Sequence, residues 1–229
     1  MNTNAISIVG KVAACLLFIS FLTSCGRKRP GEGLEFMQKT AEIEGSMTEV
    51  QDERSVKPFK SLFVYDAALV SIEIGPICGI RVEGPECYVE AVKTEIDDDN
   101  LTVKFENKDT QYRQTRVCIT APSLDDIVIN GCSSLQIFGK ANKSEKMYVE
   151  LNSVDAANIS SALRSSEITM KLYDTRKIKC NFDCNSLDFV SSGCKIGTLS
   201  GRADNVNFHS DNTNQIDRNS LKTKKMIEV

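Results

Sequence analysis

The chain has 229 residues, 41% of them hydrophobic, with 28 basic against 31 acidic side chains and a formal net charge of −3. That length supports one sizeable core or two small ones, and the weakly acidic balance gives no electrostatic footprint for nucleic acid. With no Trp and one His, few side chains remain for the commonest acid–base chemistry, which argues against an enzyme.

Met1 to Lys11 is a polar lead with one basic side chain, and Val12 to Leu22 is an apolar run. The run is too short for a bilayer core, which needs about 20 apolar residues, and it reads as the centre of a signal peptide. The exit, Leu22-Thr23-Ser24-Cys25-Gly26, resembles the lipobox of bacterial lipoproteins. That resemblance implies a signal peptide over residues 1–24 and an acylated, palmitate-bearing Cys25. The first expected partner is therefore a membrane, engaged through a lipid anchor without a span. Loss of Lys11 with the leader leaves 27 basic against 31 acidic residues. Gly26 is not the Asp that resembles an inner-membrane retention signal, so the outer membrane is the implied location. Arg27-Lys28-Arg29 stands where an acidic surface-export stretch is absent, which leaves periplasmic and surface orientations both open.

Residues 25–55 read as the lipidated cysteine and a flexible, charged tether. Arg27-Lys28-Arg29-Pro30 fits either that tether or a contact with phosphate headgroups. Leu34 to Met47 has the composition of a short helix.

Residues 56–221 form the expected folded domain, with 222–229 as a tail. Leu62, Val64, Val70, Ile72 and Ile74 alternate with polar or small residues, as do Ile80 and Val82, Val89 and Ala91, and Leu101, Val103 and Phe105. Period-two alternation predicts strands with one buried face. Gly75-Pro76, Gly84-Pro85 and Asp97-Asp98-Asp99-Asn100 read as turns, the acidic one as a polar turn rather than a calcium site.

From Ile127 the same apolar template recurs: Ile127-x-Ile129 then Ile137, Val149-x-Leu151 then Ile159, Ile168-x-Met170 then Ile178, Leu187-x-Phe189 then Ile196, Val206-x-Phe208 then Ile216. The first positions advance by 22, 19, 19 and 19 residues. A period near 19 without a helical pattern predicts rungs of a β-helix, each burying its face on its neighbours. Ser133, Asp155, Asp174, Gly193 and Asn212 align as a column of turn-formers, and Ser134, Ala156, Thr175, Cys194 and Thr213 as a column of small residues.

Cys15 leaves with the leader, so seven cysteines accompany Cys25: Cys78, Cys87, Cys118, Cys132, Cys180, Cys184 and Cys194. An odd number cannot pair completely, and mostly reduced, buried thiols are expected, with at most one or two bridges. Cys180, Cys184, Cys194 and His209 lack the close-spaced pair of zinc sites. His209 follows the inward Phe208 and is expected to point outward, which removes a Ser-His-Asp arrangement. Asp155, Asp174, Arg176 and Lys195 lie close in the columns and read as a solvated turn face. No metal, cofactor or catalytic residue is expected.

Arg54-Ser55-Val56-x-x-Phe59-x-x-Leu62, Asn100-Leu101-Thr102-Val103, Ala121-Pro122-Ser123-Leu124 before Ile127-Val128-Ile129-Asn130-Gly131-Cys132-Ser133-Ser134-Leu135, and Val190-Ser191-Ser192-Gly193-Cys194-Lys195-Ile196 stand in this order. Together they resemble the putative auto-transporter adhesin, head GIN domain family of Bacteroidota lipoproteins, over about Val56 to Ile216. A glycine corner stands at Asn130-Gly131-Cys132 and Ser192-Gly193-Cys194 but not at Ser153-Val154-Asp155 or Tyr173-Asp174-Thr175. The resemblance implies an all-β, right-handed, single-stranded parallel β-helix-like solenoid with an N-terminal β-rich portion.

Three functions fit. The first is a non-catalytic, adhesin-like envelope module that presents a β-face to a glycan or envelope protein. The second is a carbohydrate-active enzyme, lyase- or hydrolase-like, on the same scaffold. The third is a structural or stress-sensing envelope lipoprotein. A flat, ladder-like face favours the first or third, and an acidic groove the second.

Overall fold

The computed structural model describes residues 48–105, 115–211 and 215–228. The leader expected over 1–24, the expected lipid-attachment residue Cys25, the short helix expected within 34–47, and Asn212 and Thr213 of the two columns lie outside them.

The strands are β1 (Glu49–Arg54), β2 (Ser61–Ile74), β3 (Gly79–Pro85), β4 (Val92–Asp97), β5 (Asn100–Phe105), β6 (Arg116–Ala121), β7 (Asp126–Gly139), β8 (Asn142–Tyr173), β9 (Lys177–Ser192), β10 (Ile196–Ser210), β11 (Ile216–Lys222) and β12 (Lys225–Glu228). One helix, α1 (Glu86–Ala91), follows β3. The described residues are thus all-β in class and form a mixed 12-stranded sheet. Its path runs β1-β3-β6-β2-β7-β8-β9-β10-β11, with β5 on β2, β4 on β5 and β12 on β10.

Pairing is antiparallel between β1 and β3, β3 and β6, and β4 and β5. From β2 through β7, β8, β9, β10 and β11 it is parallel. β7 ends at Gly139 and β8 starts at Asn142, yet Ile127 pairs in parallel with Val149. Two linking residues cannot supply the crossover of a dozen or more that parallel neighbours need, so the strands themselves turn. They turn at one stacked corner, where Asp66, Gly131, Ser153, Asp174 and Gly193 have φ of 55°, 74°, 53°, 50° and 76°. Short polar side chains tolerate this left-handed backbone better than others, so Ser153 and Asp174 keep the corner without glycine. The residue after each of these positions, Ala67, Cys132, Val154, Thr175 and Cys194, is buried.

The core is built from inward columns. Ile127 pairs with Val149 and Ile129 with Leu151; Ile168 pairs with Leu187 and Met170 with Phe189; Leu187 pairs with Val206 and Phe189 with Phe208. All are at most 1% exposed. Asn142, fully buried, accepts from the Leu124 N–H and donates to the Leu124 carbonyl, each at 2.8 Å, and so replaces missing ladder bonds.

Several expectations need correction. The two halves of β8 lie beside one another with a step of 21, not 19. Lys146 pairs with Glu167 at 3.0 Å, the Arg176 N–H reaches the Val154 carbonyl, and both corner residues, Ser153 and Asp174, adopt the same φ. Val149 therefore stands beside Met170, and the corner of the first two rungs is at Gly131 and Ser153 rather than Ser133 and Asp155. Ile196 is 58% exposed and pairs with Lys177; the inward position is Gly197, beside Ile216. A Cβ on Gly197 would sit 3.0 Å from the Ile216 side chain, so glycine makes room for it. Val89 and Ala91 belong to α1. Pro85 precedes it with φ of −58°, suited to a helix start, and Glu86 favours the first turn. Finally, β1 lies within the stretch read as tether and β12 within that read as tail.

Candidate binding face

Strand alternation puts every second residue of β2, β5, β7, β8 and β9 on the side away from the core. The residue just before the corner forms one outward row. Tyr65 pairs with Lys104 on one side and Asn130 on the other, Asn130 with Asn152, and Tyr173 with Ser192. The 21-residue step puts Asn152 beside Tyr173. The next row carries Phe63, Val128, Glu150, Lys171, Val190 and His209, so His209 is outward as expected.

This face is knit by side chains. Asn152 Nδ2 donates to Asn130 Oδ1 at 2.6 Å and to Glu150 Oε1 at 2.8 Å. The Tyr148 hydroxyl donates to Glu150, and Lys171 Nζ lies 5.4 Å from the centre of the Tyr148 ring. Ser61 Oγ donates to Asp126 Oδ2 at 2.7 Å. Tyr65 and Tyr173 are 38% and 37% exposed. Three of the chain's five tyrosines, Tyr65, Tyr148 and Tyr173, stand on this one face.

Glu150 is held below its ordinary range, first by the Tyr148 hydroxyl and then by Asn152 and Lys171, against desolvation. A carboxylate so held acts as a hydrogen-bond acceptor rather than a proton donor. The Tyr148 phenol is pushed up to about 12 by desolvation and by its bond to Glu150. Unfolding returns it to about 10. Its contribution to stability is therefore complete below pH 10 and is lost as the pH rises through 12. Ultraviolet titration of phenolate should show a step near pH 12 in the folded protein, and Tyr148→Phe should remove that step. A profile unchanged by the substitution would contradict the Tyr148–Glu150 bond.

The remaining candidate residues do not assemble into a centre. Arg176 meets Asp155 at 3.4 Å with both side chains exposed, a pair worth about 0–1 kcal/mol, while Asp174 serves the corner. Arg164 meets Asp183 at 2.7 Å, and Asp204 takes both Arg202 at 3.2 Å and Lys224 at 2.9 Å. These surface charges neutralise one another in pairs. Among the described residues no three His, Cys, Asp or Glu side chains gather as metal ligands, and Cys180, Cys184, Cys194 and His209 sit at separate positions of the rungs. Cys78, Cys87, Cys118, Cys132, Cys180, Cys184 and Cys194 are free thiols. Burial raises Cys132 to about 11 and Cys184 to about 12, and pushes Cys180, Cys194 and Cys118 up as well. Such thiols are packing residues rather than nucleophiles. Cys194 fills the corner, as its column predicts. A depression of about 610 Å³ near Ile77, Phe138 and Arg116 is flanked by two arginines already engaged, Arg81 and Arg54. Arg81 meets Glu83 at 2.7 Å and Arg54 meets Asp52 at 2.8 Å. The turn Asp97 to Asn100 closes the β4–β5 hairpin with Asp98 at φ of 51°.

The sequence reading missed the row Tyr65, Asn130, Asn152 and Tyr173. One signal was available. Each residue immediately precedes a turn-former, and the dipeptide Tyr-Asp occurs at both Tyr65-Asp66 and Tyr173-Asp174.

Comparison with known proteins agrees with the fold. A crystal structure described as a "putative adhesin" from Parabacteroides merdae aligns with a TM-score of 0.67 at 13% identity, covering 79% of this chain and 77% of that one. A "putative adhesin" from Parabacteroides distasonis gives 0.65 at 14% identity, covering 80% and 79%. A "putative lipid binding protein" from the same species gives 0.63 at 13%, covering 79% and 78%. No curated protein matches. At such identities the likeness speaks to the fold alone. The model of the family described as "Putative auto-transporter adhesin, head GIN domain" matches residues 58–227, so the chain belongs to that family.

Proposed function

We propose that this chain is a non-catalytic, adhesin-like lipoprotein of the cell envelope. In this reading Cys25 carries the acyl anchor in the outer membrane. The repeats coil as a right-handed parallel β-helix-like solenoid, and the face bearing Tyr65, Asn130, Tyr148, Asn152 and Tyr173 meets a glycan or an envelope protein. The observation that carries the reading is the gathering of three of five tyrosines on one flat, hydrogen-bonded face. Tyrosine supplies large amphipathic contact area at low entropic cost, which is why it is enriched in binding surfaces. Parallel steps of 19 to 22 residues across a two-residue link support the coiling. The family description and two adhesin-described neighbours support the role.

The test uses two substitutions in cells. Cys25→Ala should abolish labelling by an alkyne fatty acid and release the protein from membranes; equal label on the variant overturns the anchor. Val128→Arg places a bulky charge within the face. It should abolish adhesion of the purified protein to envelope material without changing its melting temperature, and undiminished adhesion overturns the face.

A further inference from the structure

We propose that the row Tyr65, Asn130, Asn152 and Tyr173 is the binding site for an uncharged, extended glycan lying across the strands; this rests on the proposed binding face and names its ligand class.

The first argument is register. The row contributes one side chain per strand, and neighbouring strands are about 4.8 Å apart. That spacing is close to the rise of one sugar in an extended polysaccharide, so successive sugars meet Tyr, Asn, Asn and Tyr in turn. Three strand steps separate the two tyrosines by about 14 Å.

The second argument is chemistry. A pyranose has an apolar face of C–H groups and a rim of hydroxyls. The exposed rings of Tyr65 and Tyr173 offer π faces to the former, with a hydroxyl at the edge. Between them the Asn130–Asn152 bond fixes both carboxamides. It uses the oxygen of Asn130 and the nitrogen of Asn152. Among the described residues this leaves Asn130 Nδ2 as donor and Asn152 Oδ1 as acceptor, the pair a vicinal diol needs. The carboxamides are held in place before binding, which lowers the entropic cost of association.

The third argument is charge. Glu150 stands in the adjacent row, and Asp126 and Asp188 in the row beyond it. The nearby cations are already engaged: Lys104 with Glu95 at 3.0 Å, and Lys171 over Tyr148 beside Glu150. A surplus of carboxylates repels uronic acids and sulfated sugars and tolerates neutral ones. The ladder suits the middle of a polymer rather than its end, since the row presents its side chains in line across successive paired strands.

The experiment titrates the full-length lipoprotein, in detergent, by calorimetry against neutral oligosaccharides (cello-, manno- and chito-hexaoses) and acidic ones (hexagalacturonate, a heparin hexamer). At least one neutral hexamer should bind, and the acidic ones about tenfold more weakly or not at all. Tyr65→Ala and Tyr173→Ala should each weaken binding about tenfold, while Tyr65→Phe and Tyr173→Phe keep most of it. Both tyrosines are partly exposed, so the melting temperatures should not move. Acidic hexamers that bind as well as neutral ones, alanine variants that bind normally, or no binding by any neutral hexamer would each overturn the glycan site. If Val128→Arg still abolishes envelope adhesion in that last case, the face itself stands and its partner is a protein.

Discussion

Phe189→Ala should lower stability by about 3–5 kcal/mol, the usual range for removing a large buried aromatic, whereas the adjacent Asp188→Ala should cost under about 0.5 kcal/mol. Phe189 is fully buried and pairs with Met170 on β8 and Phe208 on β10. Its ring stacks on that of Phe208 with centroids 5.1 Å apart and planes 1° from parallel. Beyond the lost transfer energy, an aromatic pair contributes about 0.5–1.5 kcal/mol. The cavity stays open because β8 and β10 on either side are tied to β9 through the backbone ladder and cannot close over it. Phe208 is itself covered by the Arg218 guanidinium, 4.5 Å from its ring centre, so the loss reaches the end of the sheet. Asp188 faces outward from the same strand, half-buried, between Thr169 and Asn207. Urea titrations of the two variants decide the matter. Equal losses would mean that strand alternation does not separate a core face from a solvent face here.

The alternation that predicts this contrast was legible in the sequence, and so was the parallel repeat. The pairs Ile127–Val149, Ile168–Leu187 and Leu187–Val206 lie at the spacing the apolar template implies. The exact register between Val149 and Ile168 was not legible. A two-residue slip leaves every inward residue inward, because side chains alternate with a period of two. Apolarity alone therefore cannot tell a step of 19 from one of 21. The register is held by features without an apolar signature: the left-handed backbone at Ser153 and Asp174, and the irregularity between Ile159 and Leu163, where β8 carries extra residues relative to β9. The same slip displaced the first two corner positions. α1 was missed for a related reason. Val89 and Ala91 span too few residues for a period of two to be told from one of 3.6.

The binding face was less legible than the core. Tyr65 and Tyr173 are separated by almost half of the chain, and the strand pairing through Asn130 and Asn152 brings them into one row. Outward positions carry no common chemistry from rung to rung, since solvent accepts any polar side chain. A search for a repeated template therefore passes over them. The corner is the better guide. Once Asp66, Gly131, Ser153, Asp174 and Gly193 are aligned by their backbone, the residue before each falls into line.

Gly201→Ala should be the most damaging single-methyl change in the sheet, at roughly 2–6 kcal/mol from one strained residue (about 1–3 kcal/mol) and one overpacked contact (about 1–3 kcal/mol). Gly201 has φ of 96°, a conformation that side chains rarely adopt. A Cβ there would fall 2.1 Å from the Phe182 carbonyl oxygen and 2.4 Å from Asn181 Oδ1. The Asn181 side chain can swing away, but the Phe182 carbonyl belongs to the backbone of β9, which is held between β8 and β10 on either side. Phe182 itself is buried, so retreat of its backbone disturbs the core. Gly79→Ala is the control. Gly79 lies in β3, and an added methyl there meets nothing within 4 Å. That change should stay within about 0.5 kcal/mol of the parent, or stabilise slightly by restricting the unfolded chain. By calorimetry the Gly201 variant should melt roughly 10 °C lower, given a few degrees per kcal/mol for a domain of this size, and the Gly79 variant should not shift. Matching melts would mean that β10 does not approach the β9 backbone closely at Gly201.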